Sequence, residues 1–162
     1  MPQLTYTLEH DAGVAGGVAN AQLTNTRSRI AAEAIPFGVF VRRETNGRVA
    51  LPAAASDVNG VGALGVSVRS QQRAPAALDD VLQYEIGDIV NILDFGTVWV
   101  MPEDAVSEGA PAFVRFATGA GGTQLGAFRS DAVASESVEL PGSTYEATAG
   151  AGELVPVRIR LT

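Results

Sequence analysis

Apolar and polar residues alternate with a period of two along most of the chain from Pro36 onward, a pattern typical of half-buried β-strands. The C-terminal stretch LVPVRIRLT shows it most clearly, because Val155, Val157, Ile159 and Leu161 fall on one face. The stretch GALGVSVRS alternates in the same way. No helical pattern of a dozen residues separates such segments, so parallel βαβ units are disfavoured and antiparallel pairing is expected.

Glycine-containing turns separate the predicted strands. Asn46-Gly47, inside VFVRRETNGRVAL, is a strong short-range signal for a hairpin. Asp94-Phe95-Gly96 separates GDIVNIL from GTVWVM and predicts a second tight hairpin, and the tip Gly119 to Gly122 separates APAFVRFA from TQLGAFR. Short strands with a turn every ~8–12 residues predict an all-β domain, a compact antiparallel β-barrel or sandwich over residues 36–162.

The first 35 residues follow a different pattern. The stretch DAGVAGGVANAQLTNT consists of small residues without a sustained period, which predicts an extended N-terminal arm over residues 1–35. Within it, SRIAAEA favours a short helix that begins at Ser28, because Ala and Glu are good helix formers. Pro36 disfavours helical geometry at Ile35, so this helix is expected to end there.

The composition supports a packed core and excludes several kinds of site. Of the 162 residues 46% are hydrophobic, and no residue is cysteine, which excludes disulfides, thiolate metal sites and a cysteine nucleophile. No run approaches ~18 consecutive apolar residues, and the N-terminus has no basic region followed by an apolar one. We therefore expect no membrane partner and synthesis in the cytoplasm of the producing cell.

The net charge of −7 is concentrated in one segment. Eight acidic residues and no basic residue lie between Asp79 and Glu108, whereas the other ten acidic residues are balanced by the eleven arginines. A nucleic-acid partner is disfavoured because phosphate binding needs a positive surface. The acidic segment predicts either solvated turns or a face that pairs with arginines of a partner.

Few residues carry chemistry that points to an enzyme. His10 is the only histidine and lies in the predicted arm, so neither a Ser-His-Asp triad nor a histidine metal site is expected. Gly60 to Gly65, GVGALG, matches the letters of a dinucleotide-binding loop, but such a loop needs a helix after it and a strand follows instead. Trp99 alternates within TVWVM, which indicates a core or interface residue. The many carboxylates leave a small carboxylate-dependent hydrolase open.

The segments also form a characteristic order. SRIAAEAIPFGVFVRR is followed by VNGVGALGVSVRSQ, by YEIGDIVNILDFGTVWVMPEDAVSEGAPAFVRFATGAGG, by GAFRSDA and by the closing LPGSTYEATAGAGELVPVRIRL. In this order and spacing the chain resembles the structural cement proteins of tailed bacteriophages, which decorate the outside of the icosahedral head. The resemblance runs from about residue 4 to residue 161 and is most specific in AIPFG and in the block from GDIV to FVRF.

The resemblance implies a non-enzymatic virion protein on the outer surface of the capsid. Its expected partners are the major capsid protein and further copies of itself, with a trimer favoured over a dimer. The resemblance implies no catalytic residue, no cofactor and no metal, and neither a nucleic acid nor a membrane as partner. The alternative is another β-module of a phage virion, from the tail or the baseplate.

Contacts with the capsid or with other copies are expected where the arm joins the β-domain. An extended arm of 35 residues can span about 115 Å, enough to reach a neighbouring subunit. For the apolar members of the candidate set the alternative is ordinary packing beneath the arm. The candidate contact residues are Arg27, Arg29, Ile30, Ile35, Phe37, Arg42 and Arg43.

Overall fold

The structure is a computed structural model that describes residues 13–20, 23–70, 83–119 and 122–161. Over these ranges the regular secondary structure is almost all strand, with one five-residue helix, which confirms the predicted all-β class. In chain order the elements are β1 (Asn25–Ile30), β2 (Ile35–Pro36), β3 (Phe40–Arg43), β4 (Val49–Ala50), α1 (Ala55–Asn59), β5 (Ala63–Val68), β6 (Gln83–Tyr84), β7 (Ile89–Val100), β8 (Pro111–Arg115), β9 (Phe128–Arg129), β10 (Ser137–Tyr145) and β11 (Val155–Arg160).

One antiparallel sheet contains most of these strands and curls into a half-barrel. Its strand order is β4-β3-β5-β7-β11-β10-β8-β9, and β1 pairs with β7 outside this path. A second, two-stranded sheet joins β2 to β6. The twelve-residue strand β7 is the centre of the fold, because it pairs with β1 and β5 along its first half and with β11 along its second.

The Asn46-Gly47 hairpin is confirmed. Strands β3 and β4 pair on either side of it, with Arg42 opposite Ala50 and Arg43 opposite Val49. The side-chain oxygen Oδ1 of Asn46 accepts a 2.9 Å hydrogen bond from the Arg48 backbone N–H. Gly47 adopts a φ of 82°, a conformation that glycine reaches without steric cost.

The predicted hairpin at Asp94-Phe95-Gly96 is wrong, because β7 continues through it as one strand. Asp94 is buried within the sheet, where its carboxylate forms a 2.5 Å ion pair with Arg27 and accepts a 2.7 Å hydrogen bond from Asn25 Nδ2. Both partners come from β1, which is distant in the sequence. Gly96, with a φ of 132°, lets the strand bend without ending.

The short helix predicted to begin at Ser28 is also wrong, since Asn25–Ile30 forms strand β1. This strand pairs with β7 so that Ile30 lies opposite Ile89, and Ser28 Oγ donates a 3.0 Å hydrogen bond to Asn91 Oδ1. A helix preference of Ala and Glu amounts to a few tenths of a kcal/mol per residue, about 0.5 or less. A ladder of backbone hydrogen bonds to β7 outweighs it.

Two clusters of buried apolar side chains form the core. The larger lies inside the half-barrel and takes residues from β5, β7, β8, β10 and β11; the smaller lies around β2, β3, β4 and β6. Strand β7 contributes to both, with Val98 and Val100 in the larger cluster and Val90 and Ile92 in the smaller. The long strand therefore joins the two clusters into one packed body.

The described part of the predicted arm also lies against β7. Val18 bridges to Val98, Gly16 N–H donates to the Trp99 carbonyl at 2.8 Å, and Ala19 N–H donates to the Thr97 carbonyl at 2.8 Å. Residues 1–12 lie outside the described residues, so the free arm and a domain boundary at residue 35 stay predictions.

Candidate binding surfaces

Strand β1 is largely exposed and contains three of the seven candidate contact residues. Arg27 is exposed along much of its length although its Nε pairs with Asp94. Arg29 Nη1 donates a 2.9 Å hydrogen bond to the Gly47 carbonyl, and Ile30 is 48% exposed. Five of the six residues of this strand face solvent, so β1 presents both polar and apolar groups for binding.

Ile35 and Phe37 are buried in the smaller core cluster. The Phe37 ring meets the Tyr84 ring edge to face, with the ring centroids 5.0 Å apart. In this structure both residues therefore pack beneath the surface, which was the alternative for the apolar members of the candidate set. A role of these two residues in contacts with another subunit stays a prediction.

Arg42 and Arg43 lie next to each other on β3 in different surroundings. Arg42 Nε donates a 3.0 Å hydrogen bond to the Leu51 carbonyl and lies 3.3 Å from Asp57 Oδ2, so this side chain holds neighbouring loops together. Arg43 is exposed, and its Nη2 donates a long 3.3 Å hydrogen bond to the Val61 carbonyl. Arg43 is therefore the better placed of the two to meet a partner.

Part of the acidic segment forms ion pairs within the chain itself. Asp94 pairs with Arg27, Glu103 with Arg115 and Arg129, and Asp104 with Arg129. Of the other acidic side chains in this segment that the structure describes, those of Glu85 and Glu108 are exposed. Asp79 and Asp80 lie outside the described residues. The sequence predicted solvated turns or pairing with a partner's arginines for this segment. It gave no sign of these ion pairs within the chain.

A buried network of charges surrounds Arg115, whose side chain is fully buried. Arg115 Nε donates to both carboxylate oxygens of Glu103 at 2.9 Å, and Nη1 donates to Glu136 Oε2 at 2.9 Å. Arg115 Nη2 lies 2.9 Å from Glu103 Oε2 without the geometry of a hydrogen bond. Arg129 completes the network, since its Nη1 donates to Glu103 at 2.9 Å. The network joins β8, β9 and the segments before and after them.

Gly119 and Gly122 lie directly on this network. Gly119 and Gly122 bridge to each other, and a Cβ atom built at Gly119 would lie 2.0 Å from the Glu136 carboxylate carbon Cδ. A Cβ atom at Gly122 would lie 2.3 Å from Glu103 Oε1. Glycine at these two positions allows the backbone to approach the carboxylates closely, as at other close backbone contacts.

Among the residues that the structure describes, Tyr145, Tyr84 and Arg129 have shifted pKa values with physical causes in the fold. Burial raises the pKa of Tyr145 well above its usual value, and the charge of Asp104 adds to this effect. Burial also raises the pKa of Tyr84, whose hydroxyl donates a 2.6 Å hydrogen bond to the Val68 carbonyl. Burial alone would lower the pKa of Arg129, but its hydrogen bonds to Glu103 and Asp131 outweigh this and raise it. All three groups stay in their neutral-pH charge states.

One exposed apolar surface, here called the isoleucine patch, consists of Ile30, Ile86 and Ile89. Ile86 is 68% and Ile89 66% exposed, and Ile30 stands opposite Ile89 in the β1–β7 pairing. Acidic Glu85 and Asp88 flank Ile86 in the turn before β7. Isolated exposed apolar residues are ordinary, but Ile30 and Ile89 pair across the strands and Ile86 lies in the turn that is bonded to Ala31 beside them, so the three form a patch suited to binding.

A second surface, here called the arginine-flanked groove, lies at the other end of the same strand pair. Leu23 is 87% and Phe95 42% exposed, and the groove has a volume of about 530 Å³. Phe95 lies opposite Arg160 in the β7–β11 pairing. The lining residues are Asn20, Leu23, Phe95, Gly96, Thr97, Arg158, Ile159 and Arg160.

The described residues include no group of three or more His, Asp or Glu side chains arranged to hold a metal ion. In the same ranges, no helix has the length and apolar character needed to cross a membrane. His10 lies outside the described residues. Gly65, the last glycine of GVGALG, lies inside strand β5, so the backbone there is that of a sheet and not of a phosphate-binding loop. In the part of the chain that the structure describes, the two exposed surfaces are the candidate functional features.

Comparison with known proteins finds matches over nearly the whole chain. The family model described as structural cement protein (E217 gp24/Pam3 gp6) matches residues 2–160. A chain from the solved structure titled "The capsid of Myoviridae Phage XM1" aligns with a TM-score of 0.67 at 19% identity, and the alignment covers 96% of this chain and 94% of that chain. At this identity the structural match shows a shared fold. No curated protein matches the chain.

Proposed function

Because the chain belongs to the structural cement protein family, we propose that it binds the outer surface of a phage head and stabilises the lattice of the major capsid protein without catalysing a reaction. The match of the family model to residues 2–160 is the observation that carries this proposal. The protein is expected to act as a homo-oligomer in the virion, with a trimer favoured over a dimer.

The fold suits this function because a cement protein must hold its neighbours at a fixed spacing. Strand β7 joins both core clusters, and the ionic network around Arg115 ties β8 and β9 to distant segments. A body with two joined clusters and buried ion pairs resists local deformation. Its surface contacts can then transmit force between capsid subunits while the protein itself keeps its shape.

Stabilisation of the head follows from binding that favours the assembled shell. A ligand that binds only the assembled state stabilises it by RT ln(1 + [L]/Kd), about 4 kcal/mol at 1,000-fold excess over Kd. An interface of standard size covers ~800 Å² per partner, and an oligomer that contacts several capsid subunits can gain about 10²–10⁴-fold in avidity. Because one head carries many such sites, the total stabilisation of the head is large.

The exposed arginines are the proposed capsid contacts. Arg43 and Arg27 present guanidinium groups at the surface, and Arg29 lies close to Gly47 of the neighbouring hairpin. A guanidinium group pairs well with carboxylates through its planar fork of donors. We expect these residues to meet acidic groups of the shell, and the attachment to weaken as salt rises.

The decisive experiment is co-sedimentation with expanded heads that were assembled without this protein. Purified protein is expected to bind saturably, in a fixed ratio to capsid subunits, and to raise the temperature at which the heads release their DNA. Absence of binding at saturating protein, or attachment to tails and not to heads, would refute the proposal.

A charge-reversal pair tests the proposed contact. Arg43→Glu should weaken binding to heads at least tenfold, because it places a carboxylate where a guanidinium group is proposed to meet acidic groups. Arg69→Glu makes the same change at an exposed arginine after β5, outside the candidate set, and should bind like the unmodified protein. Equal binding by both variants would remove Arg43 from the contact while leaving the function itself in place.

A further inference from the structure

We propose that copies of this chain associate head to tail, with the isoleucine patch of one copy docked in the arginine-flanked groove of the next. The inference deepens the proposed function, on which it rests for the expectation that the protein works as an oligomer. It names the two surfaces that join the copies, and it follows from how apolar and charged groups are distributed at the two ends of the β1–β7 pair.

The isoleucine patch is a firm apolar surface. The Gly87 N–H donates to the Ala31 carbonyl at 3.0 Å and the Ala31 N–H donates to the Asp88 carbonyl at 2.8 Å, so the turn that carries Ile86 is fixed against β1. The Glu85 backbone N–H donates to Asp88 Oδ2 at 2.8 Å, which closes the same turn. The isoleucines are therefore presented in one arrangement, with carboxylates beside them.

The groove offers the complementary features. Its exposed apolar groups are Leu23 and Phe95, and its charged groups are Arg158 and Arg160. Arg158 forms an ion pair with Glu146, whereas Arg160 is exposed and forms no ion pair with any residue that the structure describes. Arg160 is thus available to a carboxylate from another molecule.

Charge decides how two copies can meet. If two isoleucine patches faced each other, the exposed Glu85 of one copy would oppose Glu85 of the other. If two grooves faced each other, arginines would oppose arginines. The contact of patch with groove also joins apolar to apolar surface, but it places carboxylates beside guanidinium groups. Charge therefore favours this pairing over the two others.

The positions of the surfaces favour a second copy as the occupant. They lie at opposite ends of the β1–β7 pair, about 20 Å apart along six residues at ~3.3 Å each, so a chain cannot join its own two surfaces. Each docked copy leaves one patch and one groove free for further copies. Such a heterologous contact closes into a ring when the rotation between copies allows it.

Complementation between two variants tests the pairing. Ile86→Asp with Ile89→Asp removes the patch, and Leu23→Asp with Arg160→Asp removes the groove. In sedimentation equilibrium the unmodified protein should be a closed oligomer, each variant alone a monomer, and their equimolar mixture a dimer and nothing larger, since only one intact patch and one intact groove can meet. Met101→Asp, at a residue 52% exposed beyond the end of β7, should leave the oligomer unchanged.

Cysteine crosslinking gives a second measurement on protein that keeps both surfaces largely intact. Because the chain has no cysteine, Ile89→Cys and Leu23→Cys each introduce a single thiol. Mild oxidation of the mixture should yield the 23–89 crosslink between chains and neither the 23–23 nor the 89–89 crosslink. A monomeric unmodified protein, a variant that keeps the full oligomer, a mixture of folded variants that stays monomeric, or dominant 89–89 crosslinks would each overturn the inference.

Binding to heads separates this inference from the proposed function. If the unmodified protein is a monomer that still saturates expanded heads, the head-to-tail contact is wrong and the capsid role stands. If the complementation and crosslinks succeed but no head binding occurs, the self-association stands and the capsid role is wrong.

Discussion

Arg115 and Glu103 form a buried pair in which one guanidinium nitrogen, Nε, donates to both carboxylate oxygens at 2.9 Å. Removing one member of a buried pair costs about 3–5 kcal/mol when the other charge is left without compensation, and here Arg115 keeps its bond to Glu136. Glu103→Gln should therefore lower the free energy of unfolding by about 2–3 kcal/mol in a urea titration, because it weakens charge-assisted hydrogen bonds to both Arg115 and Arg129. The matched variant Glu146→Gln, which breaks the exposed pair with Arg158, should cost about 0–1 kcal/mol. Equal losses would show that the buried network adds no special stability.

The buried tyrosines predict a loss of stability in alkaline solution. The folded state raises the pKa of Tyr145 and of Tyr84 above the unfolded value of about 10. Below pH ~10 both states keep the phenol proton and the stabilisation is fully present. As pH rises above that value the unfolded chain releases protons that the folded chain retains, so the free energy of unfolding falls until the raised pKa is passed.

The test is the unfolding temperature of the unmodified protein and of Tyr145→Phe between about pH 8 and pH 11, a range that brackets the unfolded pKa. The variant should be less stable by about 1 kcal/mol at the lower pH, because it loses the 2.7 Å hydrogen bond from Tyr145 to the Arg129 carbonyl. Its decline toward high pH should be shallower. Parallel curves would contradict the assignment of the alkaline loss to Tyr145.

Gly65 should be the least replaceable glycine of the central sheet. It has a φ of 142°, and a Cβ atom there would lie 2.2 Å from the Leu93 carbonyl oxygen. Gly65→Ala combines strain with a backbone clash and should cost about 3 kcal/mol, measured by chemical denaturation. Gly109 has a φ of 78° with open space around it, so Gly109→Ala isolates the strain alone and should cost about 1–2 kcal/mol. If the two losses agree, the close approach to Leu93 is not the cause.

Trp99, the single tryptophan, reports on the contact with residues 13–20. A Cβ atom at Gly13 would lie 2.5 Å from the Trp99 Nε1, so Gly13→Val must displace either the segment or the ring. We expect the emission of Trp99 to move to longer wavelength as the indole becomes hydrated. Val14→Ala, at the exposed neighbouring residue, serves as the control and should leave the emission unchanged. An unshifted spectrum for Gly13→Val would contradict the packing of this segment on the indole.

Truncation tests the predicted N-terminal arm. Deleting residues 1–12 keeps Gly16 and Val18, which pair with β7, so the unfolding temperature should change by less than about 2 °C. If the arm reaches a neighbouring capsid subunit, the same deletion should weaken co-sedimentation with expanded heads about tenfold or more. Unchanged binding to heads would dismiss the arm as a clamp without affecting the other contacts.

Local signals predicted the elements whose formation depends on nearby residues. The Asn46-Gly47 turn needs a residue that tolerates positive φ and a side-chain acceptor two residues before Arg48. The residue types Gly47 and Asn46 supply both, and both can be read from the sequence. The alternation of Val155, Val157 and Ile159 likewise follows from one buried face of β11. For such elements the residue pattern agrees with the packing, so the sequence alone was sufficient to predict them.

The errors came from partners that are distant in the chain. Asp94 belongs to a turn by local preference, yet Arg27 and Asn25 hold it within β7. The burial of Arg115 depends on Glu103 and Glu136, which lie 12 and 21 residues away with no periodic relation to it. An arginine inside the apolar run APAFVRFA was a hint of an internal ion pair, but nothing in the sequence identified the carboxylates.

The length of β7 gives the molecule a direction of greatest mechanical strength. Hydrogen bonds to its antiparallel neighbours run across the strand, so tension applied along its axis loads many of them together as shear, whereas a sideways pull opens them one at a time. The isoleucine patch lies at the start of β7 and the arginine-flanked groove about halfway along it, so the line that joins the two surfaces runs along this axis. A shell that swells under internal pressure would therefore pull on the protein along the line in which its sheet yields least.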